Sequence, residues 1–167
     1  MDSQISYKLF SNQDNKVSNN IFFLHGNGFP PDSYSNFLNI LSSKANIYAM
    51  NQKPFHPTNI NPNLIYGWDI FKNDAIKFLK QNQLDNTIAV GHSMGAIVIL
   101  LIEIENPGTF KNIFLLDPVI TSKMKSILYK VLLKFNAIDK RHPMIRRTNS
   151  KKIVYDNFES IYNSYRS

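Results

Sequence analysis

The sequence predicts an α/β protein: a mostly parallel sheet flanked by helices, followed by a helical segment of different character. Three observations carry that expectation. Short continuous apolar runs, Ile21-Phe22-Phe23-Leu24, Thr87-Ile88-Ala89-Val90 and Ile113-Phe114-Leu115-Leu116, are the mark of strands buried on both faces. Apolar residues at helical spacing fill the stretches between them. Strand and helix therefore alternate, which argues for parallel strands joined by helices that cover both faces.

Residues 5–10 alternate weakly and read as an edge strand, followed by an Asn-rich polar turn at 12–20. The run at 21–24 ends at His25-Gly26-Asn27-Gly28. Pro30-Pro31-Asp32 punctuates, and Tyr34, Phe37, Leu38 and Leu41 then recur at helical spacing, with Asp32 or Ser33 as the expected N-cap. Residues 46–50 read as a strand, and the Pro-, Asn- and His-rich stretch 51–67 as an irregular loop. Residues 68–81 form a helix with Ile70, Ala75, Ile76, Phe78 and Leu79 on its apolar stripe. After the strand at 87–90 and the turn 91–95, residues 96–102 continue as a helix apolar nearly all round, which belongs deep in a core. Pro107-Gly108 closes it, and the strand at 113–116 ends at Asp117-Pro118. Residues 1–118 are thus the α/β core and 119–167 a basic helical segment. In that segment Met124, Ile127, Leu128, Val131, Leu132 and Phe135 line one face of an amphipathic helix, 139–152 is a basic loop, and 155–166 is a last helix.

Composition narrows the function. The 167 residues are 43% hydrophobic and 13% aromatic, enough for a buried core, and there is no cysteine, so neither a disulfide framework nor a thiolate metal site is available. The net charge of +7 divides unevenly: residues 1–122 carry 8 Lys against 9 Asp and Glu, and residues 123–167 carry 11 Lys and Arg against 3 Asp and Glu. A core with slightly negative charge and no recognition motif argues against nucleic acid. The four histidines lack ligand-like spacing, so no metal and no cofactor is expected. With no leader-like N-terminus and no apolar run near the roughly 18 residues that span a bilayer, the expectation is a soluble, cytoplasmic protein. Binding of the basic amphipathic helix to an anionic membrane surface is the lesser alternative to a solvated face.

The chemistry points to Ser93. A serine hydroxyl becomes a nucleophile when it is exposed, faces a base, and has donors waiting for the charge its attack creates on a carbonyl oxygen. Gly91-His92-Ser93-Met94-Gly95 lies between a buried strand and a helix, where a sharp turn lifts the serine above the sheet and leaves the Met94 N–H at a helix N-terminus. Two glycines after an earlier buried strand, in His25-Gly26-Asn27-Gly28-Phe29, leave the Asn27 N–H as a second oxyanion donor. His25 reads as a residue that holds its loop, and His92, on the strained turn itself, cannot turn back as the base.

These two motifs resemble the α/β-hydrolase family, specifically its single-domain members with a His-Gly oxyanion loop and a Gly-His-Ser-Met-Gly elbow, over residues 5–118. The resemblance implies a serine hydrolase acting on a small-molecule acyl substrate such as an ester or thioester. It places Gly26, Gly28, Phe29, Trp68, His92, Met94 and the Phe55-His56-Pro57 loop near the acyl pocket, and makes residues from Thr121 onward similar to a lid. The family order is Ser, then an acid, then His. After Ser93 the sequence offers one histidine, His142, in a basic loop that does not match the motif, and Asp117 as the acid at a strand end. Either the chain is a shortened hydrolase whose acid and base are missing, or Asp117 orients His142 toward Ser93 in an unusual triad. A non-catalytic binding protein that keeps the pocket is the alternative from another class. An apolar sheet edge beside the last strand would favour self-association.

Overall fold

The computed structural model describes residues 5–11, 19–53, 55, 65, 67–120 and 154–166. The chain divides into two compact units, Met1–Ile120 and Thr121–Ser167. In the first, strands β1 (Tyr7–Phe10), β2 (Asn20–Leu24), β3 (Asn46–Met50), β4 (Thr87–His92) and β5 (Phe110–Leu116) form one sheet in the order β1-β3-β2-β4-β5. β1 runs antiparallel to β3, and all other pairings are parallel. The parallel connections are made by α1 (Ser35–Leu41), α2 (Asp69–Gln81) and α3 (Met94–Glu105).

Alternation along β2 splits the core in two. Phe22 and Leu24 pack with Phe78 of α2 and Val98, Ile99 and Ile102 of α3, whereas Ile21 and Phe23 pack with Leu38 of α1 and with Ile47 and Ala49 of β3. A central strand covered on both sides needs apolar residues at every position, which is why its sequence does not alternate. Phe22 stacks on Phe78 with centroids 5.7 Å apart. Burial of each such side chain contributes about 1.5–3 kcal/mol.

Two expectations are corrected. Neither Asp32 nor Ser33 caps α1: a 3-10 turn, Pro31–Tyr34, precedes it, and its N-cap is Tyr34 with no side-chain cap. Pro31, with its fixed φ, starts the helical turn early, so Asp32 and Ser33 fall inside it. Nor is residues 113–116 a strand buried on both faces. β5 stands last in the strand order. Ile113 and Leu115 pack toward α2 and α3, but Phe114 is 55% and Leu116 40% exposed. α1 covers the other face only in part, leaving an apolar groove of about 250 Å³ between Phe37, Leu41, Val90, Phe114 and Leu116.

In the second unit, α4 (Phe158–Arg166) starts at Asn157, whose Oδ1 accepts the Ser160 N–H at 2.9 Å, a side-chain N-cap. The expectations for an amphipathic helix at 121–135, a loop at 139–152 and a base at His142 lie outside the described residues, as do those for His56 and Pro57.

Candidate active site

Leaving β2, the chain moves to β3 on one side, and from β3 it crosses to β4 on the other. The crevice between the carboxyl ends of β2 and β4 is therefore a topological switch point, where open α/β sheets bind ligands. Leu24 pairs with Gly91 in parallel register. The His25–Gly28 loop and the 91–95 turn consequently leave the sheet at the same edge.

The turn is abrupt. Ser93 has φ 51° and ψ −111°, a positive-φ conformation that costs a non-glycine residue on the order of 1–3 kcal/mol. Its N–H donates to the Leu116 carbonyl at the end of β5, 2.9 Å away, and its carbonyl accepts the Ile97 N–H at 3.3 Å. The surrounding structure thus holds the strained residue from both sides. A Cβ on Gly91 would lie 2.6 Å from the Ala96 nitrogen, and one on Gly95 would meet the Leu24 carbonyl, lying 2.6 Å from its carbon and 2.8 Å from the His25 oxygen. Only glycine lets the first turn of α3 settle onto the end of β2. Ser93 and Met94 are half-buried, and the N–H of Met94, the first residue of α3, has no partner within the helix.

Beneath the loop, His25 is fully buried. Its Nε2 accepts the Gln52 N–H at 2.9 Å, and the Gln52 side-chain N–H donates to the His25 carbonyl at 2.6 Å. The Nδ1 therefore carries the proton and donates to the Gly26 carbonyl, 2.8 Å away. Gly26–Phe29 closes as a tight turn through the Phe29 N–H and the Gly26 carbonyl, 3.2 Å apart, and Gly28 takes φ +82°. Asn27, Gly28 and Phe29 are exposed on it.

Burial lowers the His25 pKa below 6.5, with the bond to Gly26 opposing more weakly. The folded state therefore binds its proton less tightly than the unfolded state. Its contribution to stability is complete above pH 6.5 and is lost as pH falls from there through the lowered folded value. The urea midpoint is expected to fall between pH 7 and 5.5, with a slope from this group of at most about 1.4 kcal/mol per pH unit. Nitrogen-15 NMR should find the His25 ring titrating with a midpoint below 6.5, and a midpoint at or above that value would refute the assignment.

Sequence reasoning missed Tyr34. Its hydroxyl accepts the Gly26 N–H at 3.0 Å and lies 2.7 Å from the Nδ1 of His92. Burial raises the Tyr34 pKa, with the bond from Gly26 opposing more weakly, so the hydroxyl keeps its proton. Gln52 was also missed: it is buried, and its Oε1 has no hydrogen-bond partner among the described residues. Neither has a local signal, because the bonds span 8, 58 and 27 positions of sequence.

Phe29 (56% exposed) and Trp68 (46%) stand on loops at the carboxyl edge. Asp117 is exposed, with φ 45°, directly after the Leu116 carbonyl that holds Ser93. The structure brings Ser93, Met94, Gly26, Asn27, Gly28 and His92 to the carboxyl end of β2 and β4; His142 is outside the described residues. Among the described residues no group of three His, Asp or Glu could hold a metal ion, and no helix is long and apolar enough to cross a membrane.

A mostly parallel sheet between helices, with a strained serine at the strand-to-helix turn of its switch point, is the α/β-hydrolase fold. Solved structures agree: a hypothetical protein from Pseudomonas aeruginosa (TM-score 0.69, 20% identity, covering 96% of this chain and 55% of that one), MenH from S. aureus (0.63, 14%, 88% and 60%) and an esterase from Exiguobacterium antarcticum (0.62, 14%, 81% and 53%). The chain spans between 53% and 60% of the length of these three. No family model matches the sequence, and no curated protein matches it.

Proposed function

We propose that this protein is a serine hydrolase that cleaves an ester, thioester or related acyl bond through an acyl intermediate on Ser93. The observation that carries the reading is the positive φ of Ser93 at the switch point, held by the Leu116 carbonyl. Strain of this kind persists where surrounding structure over-determines it, and it presents a side chain above the sheet. The Ser93 Oγ gives its proton to the base as it attacks the acyl carbon, and the Met94 and Asn27 N–H groups receive the negative charge on the carbonyl oxygen. The alcohol or thiol leaves with that proton, and water then releases the acid from Ser93. Phe29 and Trp68 supply apolar surface for the acyl chain. The acid and base are either absent from this chain or are Asp117 and His142, and the test distinguishes the two.

The test is intact mass after fluorophosphonate treatment, combined with hydrolysis of short nitrophenyl esters. Wild-type protein should gain one phosphonyl group. His142→Gln and Asp117→Asn should each slow labelling by at least about a hundredfold if these residues complete the triad. Unchanged labelling in both variants, with the wild type labelled, removes them from the mechanism while leaving Ser93.

One observation favours a second reading. Both described histidines of the site are engaged elsewhere, His25 with Gln52 and Gly26 and His92 with Tyr34. A ligand-binding protein that keeps the crevice and lacks a base would show saturable ligand binding, no turnover and no labelling of Ser93.

A further inference from the structure

We infer that Tyr34 is a positioning residue that locks the oxyanion loop against the nucleophile turn, an inference that rests on the reading of Ser93 as the nucleophile. Its phenol is the bridge between the two motifs. On one side the hydroxyl oxygen accepts the Gly26 N–H at 3.0 Å, and on the other the hydroxyl is hydrogen-bonded to the His92 Nδ1 at 2.7 Å. Gly26 immediately precedes Asn27, and His92 immediately precedes Ser93. One hydroxyl therefore sets the distance between the peptide that offers the second oxyanion donor and the peptide that carries the nucleophile.

The site leaves little room for another arrangement. The Tyr34 ring packs edge-on against Phe23 of β2, with centroids 4.9 Å apart, and against the His92 ring at 5.7 Å. A Cβ on Gly26 would lie 2.7 Å from the His92 Nδ1 and 3.2 Å from the Tyr34 hydroxyl. Loop, phenol and imidazole are thus in direct contact, and the phenol bonds to both sides. Accepting from Gly26 leaves the phenol proton free for the His92 Nδ1, an arrangement that requires the His92 tautomer protonated on Nε2. Engaging the Gly26 N–H also keeps that donor from competing with Asn27 for the oxyanion. Because the charge on that oxygen develops only during attack, a misplaced loop weakens transition-state stabilisation more than ground-state binding.

The test compares Tyr34→Phe with Thr87→Val. Thr87 donates to the Asn20 carbonyl at 2.6 Å at the opposite, amino end of the sheet, so its loss controls for a missing hydrogen bond as such. Tyr34→Phe is expected to lower kcat for nitrophenyl ester hydrolysis, or the rate of fluorophosphonate labelling, by about tenfold or more with KM within about twofold. Thr87→Val should leave both unchanged. Independently of turnover, nitrogen-15 NMR of Tyr34→Phe should show the His92 Nδ1 signal losing its hydrogen-bonded shift and the Gly26 and Asn27 amides exchanging faster. If wild-type protein neither labels nor turns over, the Ser93 reading fails, and the NMR result alone decides whether Tyr34 holds the loop. Unchanged His92 and Gly26 signals overturn the inference, as does a labelled wild type that Tyr34→Phe matches in rate.

Discussion

Ser93→Ala is expected to abolish fluorophosphonate labelling and to lower any ester hydrolysis by on the order of 10⁴–10⁶, the loss seen when an activated serine is removed. The alanine keeps the same backbone demand, so thermal stability should change little. Ser93→Gly separates the two roles of this position. Glycine adopts φ 51° without steric cost, so the variant should be as inactive as the alanine form yet more stable. The gain should be about 1 kcal/mol, or roughly 2–4 °C in melting temperature. A serine that costs stability where glycine would not is what a nucleophile at a strained turn predicts. Labelling that survives Ser93→Ala would remove the proposed function, and a glycine form less stable than wild type would remove the strain.

Gly95→Ala is expected to have the largest structural effect. The added methyl would collide with the Leu24 carbonyl and lie 2.8 Å from the His25 oxygen, and backbone at the end of the central strand has no rotamer by which to give way. α3 would have to lift from β2, carrying Met94 away from the His-Gly loop and disturbing the Val98, Ile99 and Ile102 side of the core. Overpacking of this kind costs about 1–3 kcal/mol and occasionally more. Gly28→Ala is the contrast. Nothing lies within 4 Å of its added methyl, and its only penalty is a φ of +82°, which costs on the order of 1–3 kcal/mol. Urea unfolding should rank Gly95→Ala below Gly28→Ala. Only the first should also lose the close contact between elbow and loop, read as loss of Ser93 labelling in protein that is still folded.

The elements whose information is local were legible. The apolar run of β2, the helix through Phe78 and Leu79, and the strand, turn and helix around Ser93 all followed from spacing and glycine placement, because steric rules act over a few residues. The start of α1 was misjudged because Pro30-Pro31 opens a 3-10 turn, in which polar residues sit inside the turn instead of capping it. β5 was misjudged because an apolar run states a preference for burial and says nothing of what is available to cover it. Its Phe114 and Leu116 lie on a face that α1 covers only in part.

The sequence by itself determined the α/β class, the buried strands and the place of Ser93 on a turn that only glycine at positions 91 and 95 permits. These follow from backbone sterics and side-chain periodicity, which operate between near neighbours. Only the tertiary structure decided the strand order, the edge position of β5, the neutral state of His25 and the bridge that Tyr34 makes between Gly26 and His92. A hydrogen bond such as that from Tyr34 to His92, across 58 positions of sequence, exists only because the parallel pairing of β2 with β4 brings two distant turns to one edge.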